Sequence, residues 1–443
     1  MPWLQNLTVA SVTVGFLAVG PALARAQSLT PQEERIAAWV DANADEAEEL
    51  IRELVAINSG TLNLDGVRQV GDVLRAEFDA LGMETEWSDQ SAVGRAGHLI
   101  ARQEGDRGRR VLLIGHLDTV FEADDPFQEL EELGDGWLKG PGIEDMKAGD
   151  VVALYALMAL RDAGLLDGAQ VQVVFTGDEE KPGSPLDIAR RDLIEAGRWA
   201  DVALGFEAGI RDDEAEWATI ARRGYADWRL TVSGRQAHSS QVFSDEVGAG
   251  AIFETARILS DFYDEVRGEE YLTFNAGAIL GGTEVHFDFE EARGTVFGKT
   301  NVVPNQAIVH GGIRTISAEQ LARAQDAMRA VVARHLPHVM AFIEFGEGYP
   351  GMAPTDGNRA LQQLLSQINQ DLGREPMPAL DPSRRGAADI SFVAPYADGL
   401  AGLGPYGRAG HSPDEALDPT SISIAIKRAA ILIWRLSNSE PIT

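Results

Sequence analysis

The sequence predicts an α/β fold, in which a mostly parallel sheet carries helices on both faces and is interrupted by an inserted α+β domain. Three observations carry this expectation. Short apolar runs alternate with helix-length stretches through the first half of the chain, as βα units require. Near Arg222 the pattern changes to strands with one polar face. An apolar helix near the C-terminus then returns to the first pattern.

Taken in order, residues 1–26 read as a secretory signal. An apolar stretch from Leu7 to Val19 precedes Ala24-Arg25-Ala26, a small-x-small cleavage pattern before Gln27. No Lys or Arg precedes the apolar stretch, and the stretch is short for a membrane span. Export to a periplasm or the cell exterior is the expectation; a retained anchor is the alternative. Leu29 to Ile57 and Val67 to Leu81 are amphipathic helices. Val111-Leu112-Leu113-Ile114 is a continuous apolar run, as suits a strand buried on both faces. An apolar helix from Val151 to Leu160, the strand Val171 to Phe175 and the strand Val202 to Phe206 continue the alternation.

From Arg222 the module changes. Tyr225 to Val232 alternates apolar and polar residues, and a helix spans Val247 to Val266. Leu272 to Leu280, a turn at Gly281-Gly282, a segment ending in Thr300-Asn301, Ala307 to Ile313 and a helix from Glu319 to His335 complete it. Helices from Leu361 to Leu372 and Ile422 to Leu436 resume the first fold. The expected organisation is a signal over 1–26, a catalytic domain in two parts over 27–221 and 348–443, and an inserted domain over 222–347.

Composition removes several function classes. Against 69 acidic residues there are 38 basic ones, a net charge of −31, so the Lys and Arg clusters that phosphate binding needs are absent and no nucleic-acid partner is expected. No polybasic patch suits a membrane surface once the signal is removed. With no cysteine, disulfides, cysteine nucleophiles and thiolate metal sites all fall away, and any metal must use nitrogen and oxygen ligands.

Such ligands recur where strands should end. They are His116 in Gly115-His116-Leu117-Asp118, Asp145 in Gly142-Ile143-Glu144-Asp145-Met146-Lys147, Glu180 in Asp178-Glu179-Glu180, Glu207 in Gly205-Phe206-Glu207, and His411 in Gly410-His411-Ser412. Strand ends of one α/β sheet converge, so residues distant in sequence can share a site. Two histidines and three carboxylates make two three-ligand sets if one carboxylate is shared, each with an open position. Asp145 suits a carboxylate bridging two metals, and as a plain alternative a helix N-cap. Glu179, beside Glu180, is a spare carboxylate suited to general-base work. Asp118 is placed to accept the second N–H of the His116 imidazole, or to cap a turn. The reading is a two-metal hydrolase.

Together, His-Leu-Asp-Thr-Val after a strand, Gly-x-x-Asp-Met-Lys-x-Gly and Thr-Gly-Asp-Glu-Glu resemble the metallopeptidase family of glutamate carboxypeptidase, aminoacylase and succinyl-diaminopimelate desuccinylase. The resemblance runs from about residue 40 to the C-terminus. It implies a zinc-peptidase-like catalytic domain holding two zinc ions, for which cobalt or manganese are alternatives. One zinc would be held by His116, Asp145 and Glu207, the other by Asp145, Glu180 and His411. Glu179 would be the general base and Asp118 the partner of His116. Glutamate at 207 is similar to the carboxypeptidase branch, and a cis peptide is implied after Asp145.

The inserted module would be the family's dimerisation or lid domain, making the protein a homodimer. Gly234-Arg235-Gln236-Ala237-His238-Ser239-Ser240 resembles the family's Gly-x-x-Ala-His-Ser motif. By that resemblance His238 reaches the partner subunit's site and stabilises the oxyanion; a loop cap is the plain reading. Asn301 and Arg314 match positions that bind a substrate carboxylate, and Arg314 could equally be a strand-surface ion pair. Gly386, in Arg385-Gly386-Ala387-Ala388-Asp389, resembles a segment lining the site. Arg222 and Arg223 read either as recognition of an acidic substrate group or as charges on the surface of the hinge. The implied activity is hydrolysis of the amide bond to a C-terminal amino acid, with a peptide or N-acyl amino acid as substrate. The alternative is an N-acyl amino acid deacylase of the aminoacylase or desuccinylase type.

Overall fold

The computed structural model describes residues 29–289 and 292–440. The expected signal over 1–26 lies outside them. No described helix is long and apolar enough to cross a membrane.

The chain enters through the helix Pro31–Val55, whose start is built locally. Thr30 accepts from the Glu33 N–H while the Glu33 carboxylate accepts from the Thr30 N–H, and Pro31 occupies the first turn. The central sheet has six strands in the order Glu84–Asp89, Gly97–Gln103, Gly168–Thr176, Gly105–His116, Val202–Gly205, Asp398–Leu400. The last four run parallel, and the first two form an antiparallel edge. Both faces are covered. Leu113, Val171 and Val173 pack among Ile51, Leu157 and Ile426 of the helices Pro31–Val55, Ala148–Asp162 and Ile422–Leu436. On the other side Leu112, Ile114 and Val174 meet Leu193, Ala196 and Val393 from two shorter helices. Burial on two faces explains why these strands read as unbroken apolar runs.

A second sheet is wholly antiparallel, in the order Thr273–Gly282, Gln306–Thr315, Gly224–Gly234, Val339–Tyr349. Trp228, Leu230, Val309 and Ile313 on one face pack against Ile258, Phe262 and Met328 of the helices that cover it. The opposite face carries Tyr225, Asp227 and Arg229, which accounts for the alternating pattern.

Several local expectations change. The helix expected from Val247 begins at Ala251, because Gly248 and Gly250 sit at φ of 75° and 82° and interrupt the turn. Gly281 and Gly282 are not a turn. They extend the strand, pairing with Ala307 and Gln306, and the chain reverses afterwards through a hairpin of Glu284–Asp288 and Arg293–Phe297. The strand Val339–Tyr349 is one the sequence pattern does not predict, since its apolar residues are broken by Glu344, Gly346, Glu347 and Gly348.

Candidate metal centre

Three adjacent parallel strands deliver the site. His116 closes Gly105–His116, Glu179 and Glu180 follow Gly168–Thr176, and Glu207 follows Val202–Gly205. Asp145 lies in an irregular turn, over Ile143–Lys147, ahead of the helix Ala148–Asp162, and its peptide bond to Met146 is cis. Gly149 lets that helix abut the Glu207 strand end, since a Cβ there would stand 1.9 Å from the Phe206 carbonyl oxygen. His411 comes from the opposite rim, at a left-handed φ of 62°.

These residues meet. His116 Nε2 is 3.1 Å from Asp145 Oδ1, and His411 Nε2 is 3.1 Å from Asp145 Oδ2 and 3.2 Å from Glu180 Oε2. The two oxygens of a single carboxylate therefore face two different histidines. Candidate ligand atoms of His116, Glu179 and Glu180 lie within 4.8 Å of one another, as do those of Asp145, Glu180 and His411. Glu180 Oε1 is buried without a hydrogen-bond partner among the described residues. A convergence of carboxylates and imidazoles around an orphaned buried oxygen fits a pair of divalent cations, with Glu180 common to both groups and Asp145 facing both histidines. Glu207 stands outside both groups: its Oε2 pairs with Arg222 and, at 3.2 Å, with Arg385.

The surroundings fix these groups in orientation. His116 Nδ1 is 3.0 Å from the Asp118 carbonyl oxygen, an acceptor only, so Nδ1 carries a proton and Nε2 is the nitrogen turned to the site. The Asp118 carboxylate, expected as the partner of that imidazole, faces Nδ1 as well, at 3.6 Å, and has further partners. It accepts from the Thr61 hydroxyl at 2.6 Å and from the Glu179 and Glu180 N–H groups at 2.9 and 3.1 Å. One carboxylate thus faces His116 and also shapes the Glu179–Glu180 turn.

Two further groups had no signal in the sequence. Glu415 Oε1 accepts from the Glu144 and Asp145 N–H groups at 2.8 and 3.1 Å, tying down the turn before Asp145. Arg190 is fully buried and donates to Asp178 Oδ1 at 2.6 Å, the Asp178 carbonyl at 2.9 Å, Asp389 Oδ1 at 2.8 Å and the Tyr349 hydroxyl at 2.6 Å. The Tyr349 hydroxyl in turn donates to the Glu179 carbonyl at 2.7 Å. Glu415 stands beside Asp414, 270 residues from Asp145, and Arg190 beside Arg191 and Asp192, so in sequence each blends into a short charged run.

The electrostatics match a cation site. Burial pushes Glu179 well above the usual carboxylate range, reinforced by Asp389, Glu180 and Glu207. Burial likewise raises Glu180 to about 7 and Glu415 to about 8. For His116 burial opposes protonation, yet Asp118 and Asp145 outweigh it and lift the imidazole well above its ordinary value. Hydrogen bonds to Asp145 and Glu180 raise His411 to about 11. Both imidazoles thus hold a proton at neutral pH until a cation displaces it. Loading with divalent metal at pH 7 is expected to release about two protons per chain, with affinity falling as pH falls. Calorimetry in buffers of different ionisation enthalpy measures this, and proton-neutral binding would contradict it.

Beside the cluster lies a cavity of about 500 Å³ lined by Glu179, Glu180, Tyr225, Arg314, Gly386 and His411. Arg314 stacks on Tyr225, with its guanidinium carbon 5.3 Å from the ring centre. His238 and Asn301 do not join it. They are neighbours on the antiparallel module, where the Ser239 N–H donates to the Asn301 carbonyl at 2.9 Å and His238 pairs through its backbone with Val302. Arg222 is buried rather than a hinge-surface charge, whereas Arg223 is bonded at the surface to Thr273 and Ser383.

Residues 112–435 match the model of Peptidase family M20/M25/M40. The chain is 25% identical to carboxypeptidase G2 of Pseudomonas sp. (strain RS-16), over 98% of this chain and 99% of the relative. It is 26% identical to succinyl-diaminopimelate desuccinylase of Bordetella petrii, over 84% of this chain and 93% of the relative. Among solved structures it resembles an M20 family metallo-carboxypeptidase from Sulfolobus solfataricus, at a TM-score of 0.63 and 15% identity over 88% of this chain and 99% of that one. It also resembles a dinuclear metal-binding M20 peptidase from Bacillus subtilis, at 0.61 and 15% over 90% and 99%. With nearly three-quarters of its length inside that family model and the α/β architecture of these structures, the chain belongs to the M20/M25/M40 metallopeptidases.

Proposed function

We propose that this chain is a di-zinc carboxypeptidase that hydrolyses the amide bond between an acyl or peptidyl group and a C-terminal amino acid. The observation that carries the reading is the shared cavity, where Glu179 and Glu180 face the same space as Arg314. One end of such a site does chemistry while the other can grip a free carboxylate bidentately. The carboxypeptidase G2 likeness over nearly the whole chain supports the same choice.

His116, Asp145 and Glu207 would hold one zinc, and Asp145, Glu180 and His411 the other. The pair would supply polarisation of the scissile carbonyl and acidification of water. Glu179 takes the proton from the attacking water and delivers it to the leaving nitrogen. Burial raises its proton affinity, which suits a group that must hold that proton between the two steps. Asp118 and Tyr349 orient Glu179 through its backbone. Arg314, with Asn301 and Gly386, positions the substrate carboxylate.

His238 and Asn301 are adjacent on the inserted module and absent from their own chain's cavity, so a second copy would deliver them, making the active unit a homodimer. On this reading residues 27–221 and 348–443 form the catalytic domain, 222–347 the dimerisation lid, and 1–26 a signal removed on export to the periplasm or beyond.

The test is release of free amino acid from N-acyl and peptidyl substrates by zinc-loaded protein, with C-terminal amides as controls. Cleavage of free acids but not amides supports the carboxylate grip; equal cleavage of amides refutes it. Arg314→Ala is expected to raise KM for free acids by roughly 10–100-fold, the value of a charged hydrogen bond, and to leave amides unaffected. An N-acyl amino acid deacylase is the second reading, supported by the desuccinylase relatives, and cleavage confined to acetyl or succinyl substrates would favour it.

A further inference from the structure

Two arginines, distant in sequence, converge on the carboxylate of Glu207. Arg222 reaches it from the segment leading into the antiparallel sheet, and Arg385 from the loop before the helix Ile390–Val393. Both donate to one oxygen, Oε2; among the described residues no hydrogen bond reaches Oε1. Arg222 is itself held at its other edge, where Nε donates to the Gly386 carbonyl at 2.8 Å. Its side chain is 6% exposed and that of Arg385 is 11% exposed.

A buried guanidinium needs a reason, since removing it from water is costly unless it is paired. Neither arginine lines the cavity that holds Glu179 and Arg314, and the partner the structure gives both is Glu207. Instead Arg222 and Glu207 share a small internal cavity with His116. A carboxylate with one oxygen bound by two planar donors loses its rotational freedom and presents only the other oxygen.

We propose that Arg222 and Arg385 are positioning residues that clamp Glu207, so that it offers a single oxygen, Oε1, to the cation shared with His116. This rests on the reading of Glu207 as a ligand. The arginines set its denticity and direction, and they offset part of the carboxylate charge gathered around Asp145. The other cation position, built from Asp145, Glu180 and His411, has no arginine hydrogen bond among the described residues and should feel the change much less.

The test reads metal binding rather than turnover, with zinc alone as the probe. Wild type, Arg222→Gln, Arg222→Lys, Arg385→Gln and the surface control Arg223→Gln are loaded and titrated, with melting temperature recorded for each. The two clamp variants to Gln are expected to lose 10–100-fold in affinity at one of two sites, the usual cost of removing a ligand's supporting partner. Arg223→Gln should keep both sites. Arg222→Lys should fall with Arg222→Gln, because an ammonium cannot hold Gly386 and Glu207 together. Two unaltered sites in folded Arg222→Gln and Arg385→Gln, or full restoration by lysine, would overturn the clamp. Where either variant fails to fold, the other decides. Should wild type bind fewer than two zinc ions, it is the reading of the site that fails, which keeps the two failures distinct.

Discussion

Glu179→Ala is expected to retain both metal ions and to lose roughly 10²–10⁴-fold in kcat, the range for a positioned general acid–base group. The reasoning follows from its place in the cluster. Its neighbour Glu180 is tied to His411 at 3.2 Å, whereas Glu179 has no side-chain hydrogen bond among the described residues, so its carboxylate is free to carry a proton. Its backbone N–H and carbonyl are both held, by Asp118 and Tyr349. Truncation therefore removes the proton carrier and leaves the loop in place. Steady-state kinetics with metal analysis on the same sample distinguishes the outcomes. An unaltered kcat, or loss of metal in step with activity, would contradict the assignment. The pH profile gives a second reading: burial favours the neutral form, so activity should fall on the acid side as Glu179 becomes protonated before substrate arrives.

Arg190→Met should cost about 3–5 kcal/mol of stability, the usual consequence of removing one partner from a buried ion network. Asp178 and Asp389 flank the guanidinium with side chains that are 0% and 4% exposed, so both carboxylates would be left buried without their counter-charge. Methionine fills the space but satisfies neither. Tyr349 would lose its donor as well, and with it part of the support for the Glu179 carbonyl. Urea unfolding measures the loss. A change under about 1 kcal/mol would show that the network is not a structural keystone. Tyr349→Phe is the milder comparison, expected to cost about 1–3 kcal/mol, since it removes the bond from Arg190 and the bond to the Glu179 carbonyl.

Much of this was legible in the chain because it depends on local pattern. Val111 to Ile114 and Val171 to Phe175 read as buried strands since a two-sided sheet leaves no polar positions to blur them. The helix Ile422–Leu436 has the bounds expected of it, and a helix needs only its own period to be visible. Gly281-Gly282 misled because glycine is common in turns, while here it permits close pairing with a neighbouring strand and the hairpin beyond it.

The sequence by itself determined the α/β class, the one-sided alternation of the strand from Tyr225, and the residue types that gather at strand ends, because side-chain periodicity and strand-end chemistry are written in short windows. Tertiary structure alone decided that the two oxygens of Asp145 face separate histidines, that Asp118 holds the Glu179–Glu180 turn as well as facing His116, and that Arg222 and Arg385 close on Glu207. Those facts depend on distances of a few ångströms between segments up to 266 residues apart. Only the packing of whole elements sets such distances; no spacing in the chain encodes them.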